Sequence, residues 1–319
     1  MKLIIQIPCY NEAQSLPIAL ASLPRLVPGF NSVEWLIIDD GSQDNTVAVA
    51  KEHGVDHIVR HTGNKGLAKA FMTGLDACLC LGADVIVNTD ADNQYNADDI
   101  PALVNPILQN QAEMVIGARP ISTIEHFSSV KKLLQKLGSW VVRLASQKDI
   151  PDAPSGFRAM NRNVASRLMV FNDYTYTLET IIQAGQKNMI ITSVPIRVNK
   201  DLRPSHLVKS IPSYITRSFI TIVRILIIYR PFSFFCSIGA ILFGAGFLIG
   251  LRFLFFFFLF GGGEGHIQSL ILASVLLAMG FQTTFFAFIA DLLAANRLML
   301  EDIRYKANGG AIKVETTNK

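Results

Sequence analysis

The sequence predicts an α/β fold, a mostly parallel sheet with helices on both faces, followed by a two-helix membrane hairpin. Over residues 1–118, short apolar runs of strand length alternate with helical patterns. This alternation is typical of parallel sheets whose connecting helices cross over either face. Farther along the chain, two apolar segments each exceed the roughly 20 residues that a helix needs to span a bilayer.

The individual elements follow from these patterns in order. Buried strands are expected at residues 3–7, 35–38, 57–60, 85–88 and 114–116, with helices between them at 15–23, 46–53 and 67–81. Beyond residue 119, helices are expected at 131–146 and 176–184, and a final strand at 189–198. Ligands of such sheets bind beyond the carboxyl ends of the strands, so the residues after each strand are the informative ones.

The composition narrows the class of protein. The 319 residues are 50% hydrophobic and carry a formal net charge of +4. So mild a charge, without a nucleic-acid-binding module, predicts no nucleic-acid partner. The four cysteines form no zinc set, and buried free thiols in a reducing compartment are expected. The first apolar run ends at Pro8 without a cleavage site, so no signal peptide is expected.

The two long apolar segments predict membrane spans at about residues 232–258 and 267–290. The turn between them, residues 261–266, has no Lys or Arg, whereas basic residues flank the pair on both sides. By the positive-inside rule, both termini and the catalytic domain then lie in the cytoplasm, at an inner or plasma membrane. So short a hairpin could also pack against copies of itself, which leaves a homo-oligomer open.

The predicted organisation has four segments. Residues 1–204 form the catalytic domain, 205–231 a basic amphipathic juxtamembrane region, 232–290 the hairpin and 291–319 a cytoplasmic tail. The amphipathic region suits a helix that lies on an anionic lipid surface. A helix docked against the globular domain is the alternative.

A pair of carboxylates, Asp90 and Asp92, follows the strand predicted at residues 85–88. Carboxylates separated by one residue after a strand can point to one side and hold Mg²⁺ or Mn²⁺, with Gln94 adding a neutral oxygen. A cation held there would stabilise the charge that develops on a departing diphosphate. An ordinary surface turn is the alternative for an isolated Asp-x-Asp.

Polar residues also follow the first two predicted strands. Asp39 and Asp40 follow the second strand, where one carboxylate could accept hydrogen bonds from a base or ribose and where a turn with a helix N-cap is the alternative. Tyr10 and Glu12 follow the first strand and could embrace a nucleoside, the alternative being a plain strand-to-helix turn. Neither a dinucleotide fingerprint nor a P-loop is present.

Taken together, these motifs resemble glycosyltransferase family 2, whose nucleotide-sugar-binding fold is the Rossmann-like GT-A fold. The resemblance covers about residues 1–210 and rests on four motifs in the family's order, IPCYNE, IIDDGS, NKGLAKA and DADNQ. The match is closest to the polyprenyl-phosphate branch, which includes dolichyl-phosphate mannose synthase. Its further motifs occur here as Gly-Ala-Arg at residues 117–119 and Ser-Gly-Phe-Arg at residues 155–158.

The resemblance implies a role for each matching residue. The residues implied to hold the nucleoside are Pro8, Tyr10, Glu12, Ile38 and Asp40, and those implied to hold metal and diphosphate are Asp90, Ala91, Asp92 and Gln94. Arg119 would face the donor phosphate or sugar. Arg203 and Lys209 match a phosphate clamp of the branch by their spacing, although the flanking residues differ from the family's usual motif. A membrane-facing lysine is the alternative for Lys209.

The implied reaction is an inverting transfer of sugar from a nucleotide-diphosphate sugar to a polyprenyl phosphate, undecaprenyl or dolichyl. The lipid phosphate is already ionised near neutral pH, so it needs positioning more than a strong base. Asp152 either orients the acceptor or sugar or fixes its loop. Lys131 and Lys132 could receive the lipid phosphate, a solvated helix face being the alternative. Analogy with relatives favours UDP over GDP and a role in cell-envelope glycan synthesis.

Four other functions are weighed against this one. A processive polysaccharide synthase would carry a Gln-x-x-Arg-Trp motif and more spans, and a nucleotidyltransferase would need a Gly-rich first loop. A non-catalytic membrane partner of an export or flipping system is the alternative from another class. All the expected metal ligands are present, which disfavours an inactive domain. A glycosyltransferase with a different acceptor also stays open.

Overall fold

The computed structural model describes residues 1–120, 150–170, 176–199, 220, 223–260, 267–307 and 315–316. The strands are β1 (Lys2–Cys9), β2 (Ser32–Asp39), β3 (His57–Arg60), β4 (Val85–Asn88), β5 (Met114–Ala118), β6 (Arg158–Asn161), β7 (Ile191–Pro195) and β8 (Glu315–Thr316). The α-helices are α1 (Leu16–Ser22), α2 (Thr46–Glu52), α3 (Leu67–Cys80), α4 (Ile100–Leu108), α5 (Arg162–Arg167), α6 (Thr177–Gln186), α7 (Pro231–Phe260) and α8 (Ile267–Ala307). The chain divides into two compact units, Met1–Ser218 with Arg304–Lys319, and Phe219–Ile303.

The strands of the first unit form one sheet in the order β7-β5-β6-β4-β1-β2-β3-β8. Strands β1 to β4 run parallel to one another, whereas β6 is antiparallel to both β4 and β5, and β8 is antiparallel to β3. In the parallel register, Cys9 lies beside Asp39, and Gln6 lies beside Asn88. The carboxyl ends of β1, β2 and β4 therefore meet at one edge of the sheet.

Alternating residues of β1 feed two separate cores, one on each face of the sheet. Leu3, Ile5 and Ile7 are fully buried among apolar side chains of α1 and α4. Ile4 packs on the opposite face with apolar side chains of α3 and α5. Helices on both faces of a largely parallel sheet follow from this double burial, since each strand must hide two apolar sides.

Every strand and helix predicted for residues 1–118 is present, with ends shifted by up to three residues. The helix expected at 176–184 and the strand expected at 189–198 correspond to α6 and β7. The helix expected at 131–146 lies outside the described residues. Sequence patterns missed α4, which carries Pro101 in its first turn and Pro106 inside, and missed β6 and α5, each six residues or fewer.

The second unit contains α7 and α8, two helices long and apolar enough to cross a membrane. The predicted spans lie inside them, and α8 continues as a helix to Ala307, well into the segment expected to be a tail. The helices approach closely at small residues, since a Cβ on Gly239 would stand 2.4 Å from Thr284 Oγ1 and one on Gly280 2.6 Å from the Phe243 nitrogen. Residues 223–229 are helical, and the rest of the juxtamembrane region lies largely outside the described residues.

Candidate active site

The candidate site begins with Asp90 and Asp92, which follow β4 at the sheet edge where the parallel strands end. Burial, and then the charge of the neighbouring Asp92 carboxylate, raise the pKa of Asp90 to about 7. Asp92 turns its Oδ1 back to accept a hydrogen bond from the Gln94 nitrogen at 3.0 Å. Two carboxylates so close together repel each other until a cation or a proton balances their charge.

The residues fit a divalent cation that a substrate helps to hold. In the described ranges, no group of three or more His, Cys, Asp and Glu side chains is placed to enclose a metal ion by itself. Mg²⁺ in nucleotide-dependent enzymes is usually bound by one or two carboxylates, with water and substrate phosphates as the remaining ligands. Asp90 and Asp92, with Gln94 nearby, match that incomplete ligand set.

Arg119 and Asp152 form a two-point ion pair beside these carboxylates. Arg119 Nε donates to Asp152 Oδ2 at 2.7 Å, and its Nη2 donates to Oδ1 at 3.0 Å. The Asp152 side chain is fully buried, and the Arg119 side chain is 21% exposed. Burial alone would lower the pKa of Arg119, but the hydrogen bonds to Asp152 raise it, so the guanidinium stays charged. Asp152 thus fixes its loop to Arg119, one of the two roles left open for it.

Arg158, the first residue of β6, is a second guanidinium in this region and is fully buried. Its Nη1 donates to the Thr177 carbonyl at 3.1 Å and to Thr180 Oγ1 at 2.6 Å, and its Nη2 donates to the Ser155 carbonyl. Burial lowers the pKa of Arg158, while the charges of Asp152 and Asp90 act in the opposite direction. Its positive charge therefore contributes to the field at Asp90 without touching it.

Asp40 organises the loop that precedes α3. Its Oδ1 lies 2.7 Å from His61 Nδ1 and accepts from the Lys65 nitrogen at 2.9 Å, and its Oδ2 accepts from the Gly66 nitrogen at 2.8 Å. The side chain is buried. His61 and two backbone N–H groups thus occupy much of the hydrogen-bonding capacity of the carboxylate that was expected to hold the nucleoside.

The other residues expected at the nucleoside lie at the same edge. Pro8 and Ile38 are buried partners in the β1–β2 register, and Tyr10 is 42% exposed just beyond β1. Glu12 donates its backbone N–H to Thr46 Oγ1 at 2.9 Å, and its carboxylate accepts from Ser15 Oγ. Ala91, between the two carboxylates, is buried.

The structure brings together the residues predicted after β1, β2 and β4, but four other predicted residues cannot be located. Arg203, Lys209, Lys131 and Lys132 lie outside the described residues. Sequence reasoning missed His61, which only contact with Asp40 reveals, and Tyr95, whose hydroxyl accepts from the Gly156 nitrogen at 2.9 Å. The Asp-x-Asp-x-Gln-Tyr motif does not indicate that Tyr95 contacts the loop that contains Gly156.

The sequence matches the model of the family described as glycosyl transferase family 2 over residues 4–169. It is 30% identical over 214 residues to UDP-N-acetylglucosamine--dolichyl-phosphate N-acetylglucosaminyltransferase of Methanococcus voltae, covering 60% of this chain and 83% of that protein. It is 27% identical over 206 residues to undecaprenyl-phosphate mannosyltransferase of Micrococcus luteus, covering 61% and 83%.

Among solved structures, the chain is similar to glucosyl-3-phosphoglycerate synthase from Mycobacterium tuberculosis in complex with Mn²⁺, UDP and glucosyl-3-phosphoglycerate. The TM-score is 0.53 at 18% identity, covering 70% of this chain and 78% of that one. A further structure of that synthase, with Mg²⁺ and UDP, has a TM-score of 0.52. At this identity the likeness establishes the shared fold.

The chain belongs to glycosyltransferase family 2. It is therefore a glycosyltransferase, and the GT-A fold class that the sequence predicted is confirmed. The two relatives from Methanococcus voltae and Micrococcus luteus transfer sugars to dolichyl and undecaprenyl phosphate, as their names state.

Proposed function

We propose that this chain transfers a sugar from a nucleotide-diphosphate sugar to a polyprenyl phosphate, with inversion at the anomeric carbon. One observation carries the proposal. The catalytic unit has paired carboxylates, Asp90 and Asp92, beside the Arg119–Asp152 ion pair, and the same chain carries two helices of membrane-spanning length. An enzyme whose acceptor phosphate stays attached to a bilayer would use the first feature to hold the donor and the second to stay at the membrane.

On the donor side, the loops after β1 and β2 would hold the nucleoside, with Tyr10 exposed and Asp40 fixing the backbone of Lys65 and Gly66. Asp90, Asp92 and Gln94 would hold Mg²⁺ or Mn²⁺, which when bound stabilises negative charge on the leaving diphosphate. Arg119 would contribute its charge at the donor phosphate or sugar, held in orientation by Asp152. Preorganised charge of this kind is most effective where water is excluded.

On the acceptor side, the lipid phosphate would attack directly because one of its oxygens is already ionised near neutral pH. The protein then supplies orientation rather than a strong general base. Lys131 and Lys132 are the proposed phosphate contacts for the lipid, and Arg203 with Lys209 for the donor. All four follow from the chemistry of the side chains and from the family resemblance.

We further propose that α7 and α8 cross the membrane as a hairpin, with the catalytic unit and both termini in the cytoplasm. The support is the distribution of Lys and Arg on both flanks of the helices and their absence from residues 261–266. The segment boundaries at residues 204, 231 and 290 belong to this proposal. Self-association of the hairpin is compatible with it and stands as a secondary proposal.

UDP is the donor nucleotide that the relatives favour. One relative's name specifies UDP-N-acetylglucosamine, and the solved synthase binds UDP with Mn²⁺ or with Mg²⁺. A screen of purified full-length chain tests the proposal, using radiolabelled UDP- and GDP-sugars, undecaprenyl phosphate and Mn²⁺. Label extracted into organic solvent from one UDP-sugar is the expected result. Label from a GDP-sugar alone would overturn the nucleotide assignment, and no lipid-linked label from any donor would overturn the acceptor.

A further inference from the structure

Gly156 lies against the carboxylate of Asp90 and leaves little space for a side chain. A Cβ placed on it would stand 3.1 Å from Asp90 Oδ2, 3.3 Å from Asp90 Oδ1 and 3.0 Å from the Tyr176 hydroxyl, so these groups would have to move by a few tenths of an ångström. Its backbone φ is not in the left-handed region that favours glycine. The close contacts, rather than the backbone conformation, therefore favour glycine here.

Both backbone polar groups of Gly156 are held by side chains from elsewhere in the site. Its nitrogen donates to the Tyr95 hydroxyl at 2.9 Å, and its carbonyl accepts from Asn88 Nδ2 at 2.9 Å. Asn88 is the last residue of β4, is fully buried and stands two positions before Asp90. The end of β4 and the residues directly after it thus carry both the Asp90 carboxylate and the Asn88 side chain that holds Gly156 against it.

The Asn88 carboxamide is itself fixed by buried partners. Its Nδ2 also donates to the Tyr176 hydroxyl at 2.8 Å, and its Oδ1 accepts from Gln6 Nε2 at 2.9 Å. Gln6 is fully buried, and a Cβ on Gly74 would stand 2.6 Å from its Oε1, so the amide has little freedom to move. With every hydrogen-bonding atom of its amide engaged, Asn88 has one orientation, and a buried network of this kind specifies geometry strongly.

We propose that Asn88 is a positioning residue for sugar transfer, an inference that rests on the proposed function. Its carboxamide holds Gly156 against Asp90. Through the short loop from Asp152 to Gly156, the same hydrogen bond links the Arg119–Asp152 pair to the carboxylates. The ordinary alternative is a buried asparagine that only stabilises the end of β4. That alternative predicts a loss of stability without a change in cation binding.

The test measures Mn²⁺ binding directly, from the electron paramagnetic resonance signal of free Mn²⁺ in the presence of UDP, with full-length chain in detergent. Gly156→Ala inserts a methyl group between Asp90 and Tyr176, and Asn88→Leu removes the hydrogen bonds while keeping the number and branching of the side-chain heavy atoms. Both variants are expected to bind Mn²⁺ about tenfold more weakly, as is usual when the supports of metal ligands are removed. Tyr176→Phe separates the two acceptors of Asn88, because it removes the Tyr176 hydroxyl and leaves the Gly156 contact intact, so its Mn²⁺ binding is expected to weaken less than that of Asn88→Leu.

Gly156→Ala keeps the test decisive if Asn88→Leu does not fold. The combined Gly156→Ala and Tyr176→Phe variant removes one of the crowding atoms and is expected to recover part of the Mn²⁺ affinity. Folded Gly156→Ala that binds Mn²⁺ as wild type does would overturn the inference, and the proposed function would stand if wild-type transfer remains Mn²⁺-dependent. A wild-type chain that binds no Mn²⁺ with UDP would overturn both.

Discussion

Arg119 and Asp152 come from opposite sides of the segment 121–149 and meet in a two-point ion pair, with Nε–Oδ2 at 2.7 Å and Nη2–Oδ1 at 3.0 Å. The Asp152 backbone loop is held further because its Oδ2 also accepts from the Arg119 nitrogen at 3.1 Å. The fork shape of arginine permits this geometry, and lysine cannot reproduce it. The pair therefore fixes the direction of the Arg119 charge, which we propose faces the donor.

Replacing this arginine tests whether its direction matters. Arg119→Lys keeps the charge but loses one of the two parallel hydrogen bonds, and we expect sugar transfer to fall roughly 100-fold, the effect of losing an oriented charge-stabilising donor. Initial rates at saturating donor measure it. Arg197→Lys is the matched control, because the Arg197 side chain also donates two hydrogen bonds to an aspartate, both to Asp99 Oδ1, but is 61% exposed. Equal losses in the two variants would contradict a specific role for Arg119.

Asp92 should be essential for transfer but not for folding. Its side chain is half-buried and makes a local hydrogen bond to the Gln94 nitrogen, so Asp92→Ala leaves the two cores untouched. We expect transfer to be abolished and the melting temperature to change little. Asp98→Ala, an exposed carboxylate six residues later, is the control and should retain activity. A folded Asp92→Ala chain with full activity would refute the metal assignment.

The raised pKa of Asp90 predicts how the metal-free chain responds to pH. Burial, and then Asp92, move this pKa from its ordinary 3.8 to about 7, so the folded chain retains a proton that the unfolded chain has released. The stability that the protonated Asp90 side chain contributes is fully present below its ordinary pKa of 3.8 and is lost as the pH rises towards about 7. Asp90→Asn removes this pH dependence. In EDTA, the melting temperature of the variant should therefore rise relative to that of wild type as the pH increases from about 5 to about 8. A constant difference between the two melting curves would contradict the shifted pKa.

Asp40 should act on donor binding through the loop that it holds. Asp40→Asn replaces an acceptor of two backbone N–H groups by an amide, and we expect the KM for the nucleotide-sugar to rise roughly tenfold with a smaller effect on kcat. Asp56→Asn is the control, since Asp56 accepts from the Trp35 nitrogen at 2.8 Å at the opposite edge of the sheet. An unchanged KM in folded Asp40→Asn would show that the loop does not need this carboxylate.

The close approach of α7 and α8 at Gly280 predicts an asymmetry between two glycines. A Cβ on Gly280 would stand 2.6 Å from the Phe243 nitrogen, whereas a Cβ on Gly244 would meet nothing within 4 Å. Gly280→Ala should lower the melting temperature in detergent because the helices must separate. Gly244→Ala should leave it unchanged or raise it, since alanine favours the helix. The same small loss in both variants would argue against packing of the two helices at this point.

The sequence carries strong signals for elements with long apolar or periodic runs, and weak ones for elements that depend on contacts. β1 to β5 and α3 were predictable because burial on the sheet imposes a readable pattern. β6 was not, because its four residues include the buried Arg158, whose charge is satisfied only by groups brought from α6 and the preceding loop. α4 was hidden by its prolines.

The candidate site divides in the same way. The carboxylates after β4 and the residues after β1 and β2 were predictable because parallel strands bring their carboxyl ends together. The contacts of Asp40 with His61 and of Asn88 with Gly156 span 21 and 68 residues of sequence, and no local pattern encodes them. They become visible only when the fold places these side chains within hydrogen-bonding distance.

One assay tests most directly whether this chain transfers sugar to a lipid phosphate in a reaction that depends on a divalent cation. Purified full-length chain is incubated with labelled UDP-sugar, with or without undecaprenyl phosphate, and with Mn²⁺ or EDTA. We expect label in the organic phase only when the lipid and Mn²⁺ are both present, and none with Asp92→Ala. Equal lipid labelling in EDTA, or label transferred only to water-soluble products by a folded chain, would contradict this expectation.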